Sequence, residues 1–199
     1  MVRPVTRRRL LATAASAGSA AALGGAGIGF LSGAAAARTP PSPEQDERVL
    51  TFLLHLQRIE HAFYDQVADA GHLRGELAEY LDVTRRNEAD HVQALVRTLG
   101  VADAAPPMRF AVDAAFRDEA AFAAKAIALE DAVVAALNGQ VTNLTPGRLV
   151  QACAIASVEA RHAAWIRDIA GSPPVASAAD VPLDADAVTD ALRGKGLWP

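Results

Sequence analysis

Two short segments of the chain have the form Glu-x-x-His: Glu88-Ala89-Asp90-His91 and Glu159-Ala160-Arg161-His162. On a helix, residues three apart lie on one face, so each Glu and its His would point the same way. A lone Glu stands upstream of each pair, Glu60 at 28 positions before Glu88 and Glu130 at 29 before Glu159. The two sets are offset by 70 residues from Glu60 to Glu130, and by 71 from Glu88 to Glu159 and from His91 to His162. This is an internal repeat, visible in polar positions. One Glu-x-x-His on an Ala-rich helix is ordinarily a solvated pair. Six residues in matched order, using two of only five His, read as a ligand set.

The chemistry follows from the residue types. An ionised carboxylate inside a bundle is strongly disfavoured unless it is paired or bound to metal. Four buried Glu would carry −4, which two divalent cations neutralise. One Glu from each of two helices, with Glu-x-x-His from each of the other two, is the donor arrangement of two-metal carboxylate bundles. Two metal ions are therefore expected on Glu60, Glu88, His91, Glu130, Glu159 and His162. Glu88 and Glu159 would bridge, Glu60 and Glu130 would be terminal, and no catalytic residue is separate from these ligands. Oxygen and nitrogen donors suit Fe first and Mn second. The single cysteine, Cys153, excludes an intramolecular disulfide or a Cys-built zinc or iron–sulfur site, and reads as a small buried residue.

The elements needed to position these residues are helices. The 199 residues are 51% hydrophobic, enough for one sizeable core, and rich in Ala. Leu53, Leu56, Glu60, Phe63, Tyr64 and Val67 share one face of a helix from about residue 44 to Gly71. A second helix runs from about Glu76 to Leu99, with Leu77, Leu81, Thr84, Glu88, His91 and Leu95 aligned and Gly100 as its cap. Pro106-Pro107 breaks the next stretch, so a long crossover is expected. A third helix, Phe116 to Asn138, carries Glu130 and is expected to stop at Gly139; a fourth starts at Pro146 behind Thr145 as N-cap and ends by Gly171. The prediction is an all-α four-helix bundle of two hairpins over residues 44–171. A tail, 172–199, holds one short helix near Asp184 to Leu192 with no assigned role.

Around the six, Tyr64 reads as core packing with a satisfied hydroxyl, or less readily as a phenol that bonds a ligand or is redox-active. His55 and His61 are expected to be partly exposed, Asp131 and Arg161 to pair between helices or behind the ligands, and Trp165 and Trp198 to pack.

The N-terminus belongs to none of this. Arg3, Arg7, Arg8 and Arg9 precede an acid-free run of Ala, Gly, Leu and Ser up to Ala37, which reads as an export signal of twin-arginine type, with an uncleaved membrane anchor as the alternative. A Pro-rich linker, 38–43, follows. Without residues 1–37 the charge goes from −4 to −8, since four Arg and no acid are removed. No basic footprint for nucleic acid remains, and no membrane contact is expected after cleavage.

The segments LTFLLHLQRIEHAFYDQ, NEADHVQALVRTLG, AIALEDAVVAALNG and ASVEARHAAWIRDIAG together resemble the ferritin-like domain proteins of bacteria, a family that includes the plant desiccation-related proteins. The likeness covers about Val49 to Gly171. It implies a ferritin-like four-helix bundle related to bacterioferritin, rubrerythrin and manganese catalase, and it carries ligand roles onto the six residues. Gln57 departs from the pattern, where an acidic residue is usual, as does Leu137, where an aromatic often stands. Three functions stay open: a di-iron oxidoreductase acting on dioxygen or peroxide, a manganese catalase-like enzyme, and a stress or desiccation protein whose metal is structural. A homodimer stays open too; a storage cage is disfavoured by the lack of a strong fifth-helix pattern.

Overall fold

A computed structural model describes residues 39–103, 108–111, 114–175 and 177–198. The export signal at 1–37, the first linker residue and the Pro106-Pro107 break lie outside the described residues. Five α-helices and no strand occur among those described: α1 Pro43–Ala70, α2 Gly75–Leu99, α3 Glu119–Gln140, α4 Pro146–Ile169 and α5 Ala185–Gly194. No helix among them is long and apolar enough to cross a membrane.

Helix α1 starts where the acidic turn predicts. The Ser42 side chain accepts from the Gln45 N–H, and Pro43 occupies the first helical turn, where its missing N–H costs nothing. Gly71 and Gly100 close α1 and α2 in the left-handed conformation, at φ 63° and 67°. Helices α1 and α2 form one hairpin, α3 and α4 the other, and α1 also meets α3 while α2 meets α4, which closes a four-helix ring. The long connection is pinned to this ring by aromatic packing. Phe63 of α1 lies 5.7 Å from Phe110 and 6.0 Å from Phe116 of the connection, and 6.1 Å from Phe122 of α3, between ring centroids. Each such buried ring contributes roughly 1.5–3 kcal/mol. The Gln66 side chain also accepts from the Phe110 N–H.

Three expectations are corrected. Helix α3 starts at Glu119, capped by the Asp118 carboxylate, because Phe116 belongs to a separate turn, Ala114–Phe116. Gly139 does not end α3, which continues to Gln140 and a turn at Val141–Asn143. Its lack of a side chain serves close approach: a Cβ there would meet the Leu183 carbonyl oxygen at 1.9 Å. The third concerns the tail, which completes the core. Leu183 N–H donates to the Ala135 carbonyl, α5 packs on α3, and Val188, Leu192 and Leu197 are fully buried. Covered on its outer side, α3 buries every residue from Ala132 to Leu137.

Thr145 is the N-cap of α4, yet its side chain makes no cap bond. The buried Asp46 carboxylate of α1 instead accepts from the Thr145 N–H at 2.8 Å and from its hydroxyl. This ties the start of α1 to the start of α4. Asp46→Ala is expected to destabilise the fold by about 1.5–3 kcal/mol, the range for hydrogen bonds to a charged group, measured by denaturant melting; an unchanged midpoint would remove the tie.

Candidate metal centre

Each hairpin places one carboxylate and one Glu-x-x-His pair inside the ring. Glu60, Glu88, Glu130 and Glu159 have no solvent exposure, and His91 and His162 are buried. All six side chains come together. Glu88 Oε2 lies 3.3 Å from His91 Nδ1, and Glu88 Oε1 lies 3.1 Å from His162 Nδ1. Glu159 mirrors it, with Oε1 at 3.0 Å from His91 Nδ1 and Oε2 at 3.3 Å from His162 Nδ1. Each of these two carboxylates thus spans both imidazoles. Glu130 Oε2 stands 3.7 Å from His162 Nδ1.

Donors at about 2.1 Å from one six-coordinate ion stand about 3 Å from their neighbours, which is the spacing found here. Three triplets bring their donor atoms within 4.8 Å and could each hold an ion: Glu88, His91 and Glu159; Glu88, Glu130 and His162; Glu60, Glu130 and Glu159. Their electrostatics are those of a site asking for cations. Glu60 Oε1, Glu88 Oε1, Glu130 Oε2, Glu159 Oε2 and His162 Nδ1 are buried without a hydrogen-bond partner. His162 Nδ1 is near three carboxylates without an aligned hydrogen bond to any of them, so their charge acts on it there while Asn87 meets the other ring nitrogen. A buried orphan polar atom costs on the order of 1–3 kcal/mol, and five converging on one place could share a bound cation.

Without that cation, protons do the work. Burial and then the neighbouring carboxylates Glu159, Glu88 and Glu130 hold Glu60 well above the usual carboxylate range; burial likewise holds Glu130 up despite His162. Burial pushes both imidazoles down, but the adjoining Glu159 and Glu88 outweigh it and hold His91 at about 9 and His162 at about 10. Burial also pushes Glu159 up, and His162 and His91 reverse this to about 2. At neutral pH His91 and His162 therefore keep their protons, and Glu60 and Glu130 are shifted in the same direction, toward the protonated form.

A family profile described as Ferritin-like domain matches residues 45–172, 128 of the 199 positions. The chain belongs to the ferritin-like domain family. No curated protein matches it. In this ferritin-like bundle, the site has a ring of supporting residues that the sequence reading placed only in part. Gln57 is one: its amide donates to Glu60 Oε2 at 2.7 Å and to Glu159 Oε1 at 2.8 Å. Tyr64 does bond one of the six. Its hydroxyl donates to Glu130 Oε1, and Tyr80 donates to the same oxygen at 2.8 Å. Tyr80 was missed, although it shares the stripe of Thr84, Glu88 and His91 on α2. So was Asn87, whose amide meets His162 Nε2 at 2.9 Å and orients the ring.

Other expectations divide. His55 and His61 are partly exposed, and Asp131 pairs between helices with Arg167, as read. Arg161 is exposed and bonds Ser157 of its own helix, so it supports nothing at the site. Cys153 is exposed rather than buried. Trp198 packs against His55, and Trp165 packs on Tyr80 while its indole N–H reaches Glu76.

Proposed function

We propose that the six residues hold two metal ions, iron before manganese, and that the protein acts through them on dioxygen or hydrogen peroxide, as a ferroxidase or peroxide scavenger. The observation that supports this most is the convergence of five unpartnered donor atoms from α1, α2, α3 and α4 in a ferritin-like domain. His91 and His162 would each serve one ion, Glu88 and Glu159 would bridge, and Glu60 and Glu130 would be terminal. Iron or manganese bound there supplies one-electron redox changes and coordination positions for a small oxidant. The chain's own residues orient the ligands: Gln57 fixes Glu60 and Glu159, the two phenols fix Glu130, and Asn87 fixes His162. Export by a twin-arginine-type signal is part of the reading, carried by residues 1–37. That route moves folded proteins, which suits loading before transit.

Elemental analysis of protein matured in its own host is expected to find two ions per chain. Fe(II) added to metal-free protein is then expected to consume dioxygen or peroxide. Protein that binds no metal removes the reading; metal without oxidant consumption leaves a structural site.

The protonation state makes a separate prediction. For the metal-free protein, His91 and His162 are raised from 6.5 to about 9 and about 10, so their contribution is complete below pH 6.5 and lost as pH rises through those values. Glu60 and Glu130, also raised, work in the same direction from pH 4.5 upward. Glu159 opposes them only in acid, where its contribution fades as pH falls toward 2. The metal-free Tm is therefore expected to fall steadily between pH 6.5 and 10. Metal-loaded protein has no such protons to lose and is expected to show the reverse slope, because ions compete with protons for the ligands. Thermal melts across that range, with and without metal, decide it; a flat metal-free profile would refute the proton-filled site.

A further inference from the structure

A line of aromatic side chains leads from the candidate metal centre to the surface. Tyr80 of α2 is fully buried, with its hydroxyl on Glu130 Oε1 at 2.8 Å. Its ring meets that of Trp165, on α4, at 5.4 Å between centroids and 75° between planes. Trp165 is half-buried, and its Nε1–H donates to Glu76 Oε1 at 3.1 Å in an exposed bond. Tyr64 joins at the inner end, its hydroxyl 3.0 Å from that of Tyr80 and bonded to the same Glu130 oxygen.

Packing accounts for the rings but leaves the pairing of the polar atoms to be explained. A phenol or an indole that loses one electron becomes strongly acidic, so its oxidation is favoured where a base already accepts its proton. Both members of this line carry such a base: Glu130 for Tyr80, and Glu76 for Trp165. The second acceptor lies outside the site and orients no metal ligand.

We propose that Tyr80 and Trp165 form an electron relay by which a one-electron reductant in solution reduces the buried site. This rests on the two-metal reading. Oxidation of Tyr80 breaks its O–H bond, sending the electron to the oxidised metal pair and the proton to Glu130 Oε1. Trp165 then supplies an electron to the tyrosyl oxygen, which takes its proton back from Glu130, while the indole proton moves to Glu76. A reductant such as ascorbate refills the indole, which recovers that proton. The sum is one electron from the solution donor to the metal pair, with every protein group restored. The relay serves as a port for reducing equivalents when the site has met its oxidant, and it spares the buried ligands from oxidation.

The test uses zinc, which undergoes no redox change. The full chain is loaded with zinc, the stoichiometry is measured, and a flash-generated ruthenium(III) polypyridyl complex then oxidises the surface. Because Tyr64 and Tyr80 are the only tyrosines, any tyrosyl radical detected by electron paramagnetic resonance reports the inner end. The expected result is a tyrosyl signal in the natural protein and in Trp198→Phe, its loss in Trp165→Phe, and a persisting tryptophanyl signal in Tyr80→Phe. Circular dichroism melts check that each variant folds, and Trp165→Leu, which fills the same place without an oxidisable ring and is likewise expected to lose the tyrosyl signal, covers a Phe variant that does not. A tyrosyl yield unchanged in Trp165→Phe, or zinc-loaded protein that forms no tyrosyl radical, overturns the relay. Protein that takes up no zinc overturns the metal reading, and the relay with it.

Discussion

Glu159→Ala protein is expected to bind no metal pair, and Glu88→Ala to behave alike. Each of these carboxylates offers one oxygen toward His91 and the other toward His162, so one truncation withdraws a donor from both ions at once. The remaining five residues would be left around a charge imbalance that no neighbour can cancel. Loss of a peripheral hydrogen-bond partner, by comparison, costs on the order of 10–100-fold in metal affinity. Asp90→Ala and Arg161→Ala change residues of the same two motifs, both exposed, and are expected to leave loading at the natural level. Equilibrium dialysis with elemental analysis separates the cases. Two ions retained in Glu159→Ala would refute the bridging assignment.

The other large effect is far from the metals. Gly139→Ala would favour α3 by about 1 kcal/mol on helix propensity alone. Here it should do harm, because the new Cβ would stand 1.9 Å from the Leu183 carbonyl oxygen, and that atom belongs to backbone. Leu183 must retreat, breaking its bond to the Ala135 carbonyl and loosening the segment that seats Val188, Leu192 and Leu197. Full burial of each such side chain is worth roughly 1.5–3 kcal/mol, so partial undocking is expected to cost about 3 kcal/mol or more. For a chain of this size that is a fall in Tm of roughly 6–12 °C. Gly147→Ala is the control, since its Cβ would meet nothing within 4 Å. A Gly139→Ala protein as stable as Gly147→Ala would show that the close approach is not obligatory.

These two cases mark what the sequence could and could not show. The repeat of Glu60, Glu88 and His91 by Glu130, Glu159 and His162 was legible because charged residues on apolar stripes are anomalous, and an anomaly repeated at matched spacing has few explanations. The helices of the first hairpin were legible for the ordinary reason of periodic Leu, Val and Phe with glycine stops. In helix α4 the inner stripe through Ala152, Ile155, Glu159, His162 and Ile166 was legible by spacing, whereas Cys153, one position off that stripe, was read as buried from its residue type and is exposed. Gly139 was read as a helix end because glycine commonly serves there, while its real neighbour, Leu183, is 44 positions away. Tyr80 looked like any aromatic in a core. Its hydroxyl finds Glu130 across the bundle, 50 positions on, which periodicity along one helix cannot report.

The supporting hydrogen bonds also break the symmetry that the repeat implies. Glu60 is held by the amide of Gln57, which shares itself with Glu159, whereas Glu130 is held by two phenols on a single oxygen. Phenolic donors draw charge from a carboxylate and fix its free oxygen, while a shared amide leaves its partner more mobile. The two halves of the centre are thus unequal in basicity and stiffness, though built from the same residue types. On the proposed ligand set the two ions would be chemically distinct from the outset, and loading is expected to proceed in an order, one position filling before the other.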